Sequence, residues 1–216
     1  MCFPFITISF AQSIDGRIAT KTGDSKYISS EKTLKLAHTL RKECDALIVG
    51  VNTIIKDNPQ LTCRHVKGKN PVRVVFDSKC STPPSSYIIQ TAKEIRTIIF
   101  TTNNADKNRK TLTKLGAEAI SIPSDSEGMV DPVKAVAKLC DLGLCRIFLE
   151  GGGKLITSFL RKGMVNRMII VTAPVLIGEG ISGIQDLNIE VLADAVKPKS
   201  VQLKKIGKEA VWKLIF

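Results

Sequence analysis

The sequence predicts an α/β protein in a single domain spanning residues 1–216: a mostly parallel central sheet flanked by helices, with a C-terminal β-hairpin. Three observations carry that reading. Short apolar runs of strand length alternate with segments whose apolar residues recur at helical spacing. Three consecutive glycines, Gly151, Gly152 and Gly153, stand between one such run and one such helix. Two strand-like segments at the C-terminus, residues 201–206 and 210–215, are split only by Gly207, Lys208 and Glu209.

The elements follow in order. Residues 5–10 carry alternating β-branched residues and read as a central strand, and Asp15-Gly16 signals a turn. Residues 11–29 read as a long loop at a strand's end, a location that favours substrate contacts. Ser29 or Ser30 is an N-cap for a helix through Leu34, Leu36, Ala37 and Leu40, with Glu31 in its first turn. Residues 45–50 form a fully apolar strand, and residues 51–57 a short helix or turn that Asn58-Pro59 stops. On a helix, Thr53 and Asp57 face the same side. Strands follow at residues 70–79, 95–101 and 117–122, with helices at 105–115 and 131–140 between and after them. Beyond the glycine turn, residues 167–172 are one more strand, and residues 176–185 are glycine-rich and loop-like.

The glycine turn is the strongest chemical signal. Residues 146–150 are a short buried strand ending at Glu150, and Leu155, Ile156, Phe159 and Leu160 lie at helical spacing after the glycines. Glycines there let the backbone approach a bulky anion, and the first amides of the helix carry partial positive charge suited to a pyrophosphate. Glu150 points into the same crevice.

Composition bounds the rest. Hydrophobic residues make up 44% and charged residues 24%, the balance of a globular chain, and no run reaches the roughly 20 apolar residues of a membrane span. The apolar opening residues lack the pattern of a signal peptide, so the expected location is cytoplasmic. Six scattered cysteines without a C-x-x-C pair, and two isolated histidines, predict reduced thiols and no metal site. The formal charge of +12 fits a nucleic-acid binder or a field that steers small polyanions to a cleft. The cations are dispersed and only 5% of residues are aromatic, which favours the small anion over nucleic acid.

Three stretches together resemble one family. They are Ser13-Ile-Asp15-Gly16-Arg17 with Gly23-Asp24-Ser25-Lys26-Tyr27; Thr53-Ile-Ile-Lys-Asp57-Asn-Pro59-Gln-Leu61-Thr62-Cys-Arg64; and Glu150-Gly151-Gly152-Gly153. They are similar to the riboflavin-biosynthesis reductases, whose fold is like that of dihydrofolate reductase, and the resemblance runs from Ile6 to the final hairpin. It implies NADPH-dependent reduction of 2,5-diamino-6-ribosylamino-4(3H)-pyrimidinone 5′-phosphate to the ribitylamino product. The alternative substrate is the deaminated 5-amino-6-(5-phosphoribosylamino)uracil. No H-x-E or P-C-x-x-C pattern of a zinc deaminase is present, so the stand-alone archaeal and fungal type is expected. On the residues alone, a dihydrofolate-reductase-like activity and a basic nucleic-acid-binding module are the other readings.

By the same resemblance, Ala11, Tyr27, Thr53 and Asp57 line the nicotinamide end, and Gly151, Gly152, Gly153, Lys154, Leu155 and Ser158 hold the pyrophosphate. Ser25, Arg41, Leu61, Arg64 and Glu150 match substrate-holding positions, with Arg41 and Arg64 suited to grip a phosphate through forked, charge-assisted bonds. Asp57 and Glu150 are the candidate catalytic groups, orienting substrate or moving a proton. Ser78 and Lys79 fit a 2′-phosphate, whereas Asp77 fits the 2′-hydroxyl of NADH, the alternative cofactor. The chain departs from its relatives at Ser81 (commonly arginine), Lys154 (commonly threonine) and Asn166-Arg167 (commonly Asp-Glu). The family also implies a homodimer.

Overall fold

A computed structural model describes residues 3–26, 28–102 and 106–216, the side chains of residues 106 and 107 excepted. The chain begins with strand β1 (Phe5–Ser13), strand β2 (Arg17–Thr20), helix α1 (Glu31–Glu43), β3 (Ala46–Gly50) and α2 (Val51–Asp57). It continues through β4 (Val72–Phe76), α3 (Tyr87–Gln90), β5 (Thr97–Thr101), α4 (Asp106–Lys114), β6 (Glu118–Ser121) and α5 (Pro132–Asp141). It ends with β7 (Arg146–Glu150), α6 (Gly153–Arg161), β8 (Arg167–Ala173), β9 (Gly180–Ser182), β10 (Ser200–Ile206) and β11 (Glu209–Ile215). Strands β3–β4, β4–β5, β5–β6 and β1–β8 pair in parallel, and β8–β11 and β10–β11 antiparallel, so the architecture is α/β with mostly parallel pairing and flanking helices.

The residues fall into two compact units, one of Leu40–Phe148 and the other of Phe5–Thr39 and Leu149–Phe216, the division running through α1 and β7. In the first unit β3, β4, β5 and β6 pair side by side, all parallel, with Ile48 opposite Val74 and Val74 opposite Ile98. Leu47, Ile48, Val49, Val74, Val75, Ile98, Ile99 and Phe100 are all sealed from solvent. That is why these strands read as continuous apolar runs, as strands covered on both faces do. One cation lies among them. Arg73 is fully buried and donates to the hydroxyls of Thr91 and Thr97 and to the carbonyls of Ile88, Thr91 and Ile95. Burial pushes its guanidinium down to about 10, still charged at neutral pH, and the five acceptors compensate the lost hydration.

In the second unit β1 pairs parallel with β8, β8 antiparallel with β11, and β11 antiparallel with β10, which confirms the predicted closing hairpin. Asn166 and Arg167 serve the start of this sheet: the Asn166 side chain accepts from the Ile6 amide at 2.7 Å, and Arg167 donates to Thr7 at 3.1 Å. Buried Glu209 from the hairpin accepts from the Ser30 amide and from the hydroxyls of Ser30 and Thr33. Ser30 stands where the sequence expects the cap of α1, but its hydroxyl donates to this carboxylate, which neutralises the helix's positive end from a distance of 179 residues along the chain.

Two segments differ from expectation. Residues 11–29 are not all loop: β1 runs on to Ser13, and β2 pairs antiparallel with β9, itself inside the stretch that reads as loop. At four and three residues these strands are too short to show a period, and only their partners reveal them. Cys44, Cys63, Cys80 and Cys140 are free thiols, whereas Cys145 is disulfide-bonded, unlike the reduced state expected of every cysteine. Among the described residues no cluster of three metal-binding side chains occurs, and no helix is long and apolar enough to cross a membrane.

Candidate active site

Strand β7 delivers the chain to Glu150, which is half-buried, and the glycines then turn it into α6. The three glycines do different work. Gly151 and Gly152 adopt φ of 66° and 80°, the left-handed region in which a side chain is strained. Gly153 has an ordinary helical backbone, but a Cβ there would stand 2.5 Å from the Ser182 carbonyl oxygen. It is glycine because another backbone passes against it.

Helix α6 buries Ile156, Thr157, Phe159 and Leu160, and each apolar side chain contributes about 1.5–3 kcal/mol relative to exposure. Its anchorage thus comes from its buried face and not from its start. Gly152 occupies the cap position, and no side chain caps the helix. The first intrahelical bond runs from the Ile156 amide to the Gly152 carbonyl at 3.0 Å. Among the described residues, no side-chain bond to the amides before it is recorded, which leaves their partial positive charge toward the turn. Lys154 is exposed beside them, Leu155 and Ser158 are half-buried, and the Ser158 hydroxyl donates to the Leu155 carbonyl. In the same unit Ala11 is half-buried in β1, paired with Val171, and Ser25 is exposed. Tyr27 lies outside the described residues.

The remaining candidates belong to the other unit. Helix α2 forms over residues 51–57, so Thr53 (half-buried) and Asp57 (exposed) do share a face, while Ile54 is buried. Asn58 ends the helix in a left-handed conformation, φ 41°, and its side chain accepts from the Tyr87 amide at 2.8 Å. Leu61 is left-handed as well, φ 54°, with its side chain buried, a conformation costing about 1–2 kcal/mol for a residue with a Cβ. The following turn is braced: Arg41 donates to the Thr62 carbonyl at 3.0 Å, and the Cys63 amide donates to the Asn70 side chain at 2.9 Å. Arg64, just beyond, is exposed. Arg41 therefore supports the turn that carries Leu61 and Arg64, a contact that its place near the end of α1 did not reveal.

Strand β4 runs into Asp77, Ser78 and Lys79. Asp77 is fully buried, and each of its carboxylate oxygens accepts two bonds, from the amide and hydroxyl of Ser81 and from the amide and hydroxyl of Thr82. A carboxylate so engaged has no free face for a ribose hydroxyl. Ser81 is thereby a turn residue. The Ser78 hydroxyl accepts from the Val130 amide at 3.0 Å and is 8% exposed, so only Lys79 of the pair presents its side chain to solvent.

An α/β sheet with a glycine-built strand-to-helix turn, and no side-chain cap on the helix that follows, is an arrangement suited to an anion at that turn. Comparison gives the particular family: the chain matches the RibD C-terminal domain over residues 4–212 and belongs to that family. It is 36% identical over 209 residues to the riboflavin biosynthesis protein RibD of Aquifex aeolicus, covering 96% of this chain and 56% of that one. The chain thus spans little more than half the length of such relatives. It is 33% identical to the 2,5-diamino-6-ribosylamino-4(3H)-pyrimidinone 5′-phosphate reductase of Methanothermobacter thermautotrophicus, covering 96% of each chain. Among solved structures, the Thermotoga maritima diaminohydroxyphosphoribosylaminopyrimidine deaminase/5-amino-6-(5-phosphoribosylamino)uracil reductase superposes with a TM-score of 0.80 at 27% identity, over 99% of this chain and 56% of that one. The Saccharomyces cerevisiae riboflavin biosynthesis reductase Rib7 has the same fold, TM-score 0.77 at 22% identity, over 99% and 90%.

Proposed function

We propose that the protein is a reductase of riboflavin biosynthesis that uses NADPH to reduce 2,5-diamino-6-ribosylamino-4(3H)-pyrimidinone 5′-phosphate to its ribitylamino product, all of residues 1–216 acting as one reductase domain. The single observation that carries the reading is the uncapped start of α6 behind Gly151 and Gly152, in a chain of this family. The residues fit the cofactor there: no Cβ obstructs the turn, and the amides of the first helical turn offer donors to two phosphate groups. NADPH is favoured over NADH because Asp77, the residue suited to a 2′-hydroxyl, is consumed by its own turn, while Lys79 remains exposed for a 2′-phosphate.

When bound, the reduced nicotinamide supplies a hydride for C1′ of the ring-opened sugar. The chain's part is to bind, orient and handle a proton. Lys154 adds positive charge beside the pyrophosphate, and Ala11, Tyr27 and Thr53 are assigned to the nicotinamide end. Arg64 grips the substrate phosphate, Ser25 and Leu61 bound the substrate, and Arg41 acts on the same region through the Thr62 carbonyl. Glu150 and Asp57 orient the substrate and move the proton that balances the reduction. The protein is proposed to work as a homodimer.

The test is oxidation of NADPH, followed by loss of reduced-nicotinamide absorbance, with the diamino and the uracil ribosylamino phosphates supplied in parallel. Turnover with the diamino compound is expected. Turnover with only the uracil compound would move the enzyme to the other order of steps, and turnover with neither would reject the reading.

A further inference from the structure

The Asp15-Gly16-Arg17 triplet belongs to the motif that marks the family resemblance, yet nothing in the proposed reaction uses it. Its surroundings supply a use. The Asp15 carboxylate accepts from the Ile177 amide at 3.1 Å and from the Gly178 amide at 2.6 Å. Two residues on, the Arg17 guanidinium donates through Nε to the Gly178 carbonyl at 2.9 Å and through Nη1 to the Ser182 hydroxyl at 2.6 Å. One turn therefore holds both the amide and the carbonyl of Gly178, a residue in the left-handed region at φ 75°. The flanks add to the grip, with the Ile14 amide on the Val175 carbonyl and the Gly183 amide on the Gly16 carbonyl.

The strap held in this way, residues 175–183, leads directly to the glycine turn. Its Ser182 carbonyl would stand 2.5 Å from a Cβ on Gly153, and three residues later the Gln185 amide donates to the Thr157 hydroxyl, which itself donates to the Gly153 carbonyl at 2.7 Å. On its other side Gly180 and Gly183 are pressed against the Ala19 carbonyl and the Phe10 ring, each too close for a Cβ. Gly153, Gly180 and Gly183 thus let the strap lie close against the first turn of α6, the Ala19 carbonyl and the Phe10 ring. Because packed backbone transmits displacement, a shift of the strap is a shift of Gly153.

We propose that Asp15 and Arg17 are positioning residues for the pyrophosphate turn: through Gly178 and Ser182 they fix the strap, and the strap fixes Gly153. This rests on the reading of the turn as the cofactor site. Geometry at such a site matters steeply, since misplaced donors lose much of their worth to the anion. The outcome is a motif that never touches the cofactor and still sets its affinity.

The test uses Arg17→Lys, which keeps the charge and loses the two-point hold, and Ser182→Ala, which removes one bond and leaves the fold intact. Asp45→Asn, which loosens the Asp45 contacts to Arg146 in the other unit, is the control for lost stability alone. The NADPH dissociation constant is expected to rise about tenfold in both strap variants, with kcat at saturating cofactor kept within about twofold. Amides of residues 153–156 should exchange faster in both, while those of β3–β5 do not. A dissociation constant unchanged in both variants overturns the proposal, as does an equal weakening in the control. If NADPH protects no amide of residues 151–156 in the wild-type protein, the cofactor reading fails first and takes this one with it.

Discussion

Helix α5 starts with Asp131, whose carboxylate accepts from the amides of Val133 and Lys134 at 2.8 and 3.3 Å, and with Pro132 in the first turn, where a missing amide hydrogen costs nothing. Helix α6, of nearly the same length and with a buried face of its own, starts on Gly152 with no side chain to cap it. A cap is worth about 1 kcal/mol of stability, and three glycines cost conformational entropy on top of its absence. The second helix therefore gives up local stability at the end where, in the proposed function, the cofactor's pyrophosphate meets the first amides. Where two helices of one protein are treated so differently, the less stable start is the informative one.

That contrast can be pressed from its strongest consequence to its weakest. Gly153→Ala forces a methyl into the Ser182 carbonyl, so NADPH affinity is expected to fall about 100-fold, roughly 3 kcal/mol, by fluorescence titration. Gly151→Ala meets no protein atom, so it should cost about 1–2 kcal/mol of stability in urea unfolding from the strain of φ 66° and weaken NADPH binding less than Gly153→Ala does. Asp131→Ala should cost about 1 kcal/mol of stability and leave NADPH binding untouched, because the Asp131 carboxylate already occupies the amides of that helix start.

The smallest effect concerns acid. The hydroxyl of Ser13, and after it the amides of Gly178 and Ile177, hold the Asp15 carboxyl below its ordinary 3.8, at about 2. A carboxyl depressed in the folded state stabilises above its ordinary value and ceases to do so as pH falls through the folded one. The stability difference between wild type and Asp15→Asn should therefore be full above about pH 4 and vanish toward pH 2. A difference that stays constant across that window would show that the strap does not depend on the charge.

What the sequence made legible was local. The glycine turn, the shared face of Thr53 and Asp57 and the closing hairpin each rest on residues within a few positions of one another, where period and spacing decide the structure. What stayed hidden depends on distant partners. Ser78 looks like an open phosphate ligand until Val130, 52 residues on, claims its hydroxyl. Asp77 looks like a ribose acceptor until Ser81 and Thr82 fill it, and Arg73 gives no hint that five acceptors surround it in a core. Strands β2 and β9 exist through each other, and the Asp15-Gly16-Arg17 triplet acquires a use only beside residues 175–183. Left-handed Leu61 is the site feature that no propensity announces, since its conformation is fixed by the bracing around it.

The most direct test of the account is an amide resonance titration of the protein with NADPH. The account predicts that the amides of Gly152, Gly153, Lys154 and Leu155 shift together and saturably, while those of Val133 and Lys134 at the capped helix stay where they are. Saturable binding that leaves the four glycine-turn amides unmoved would contradict it.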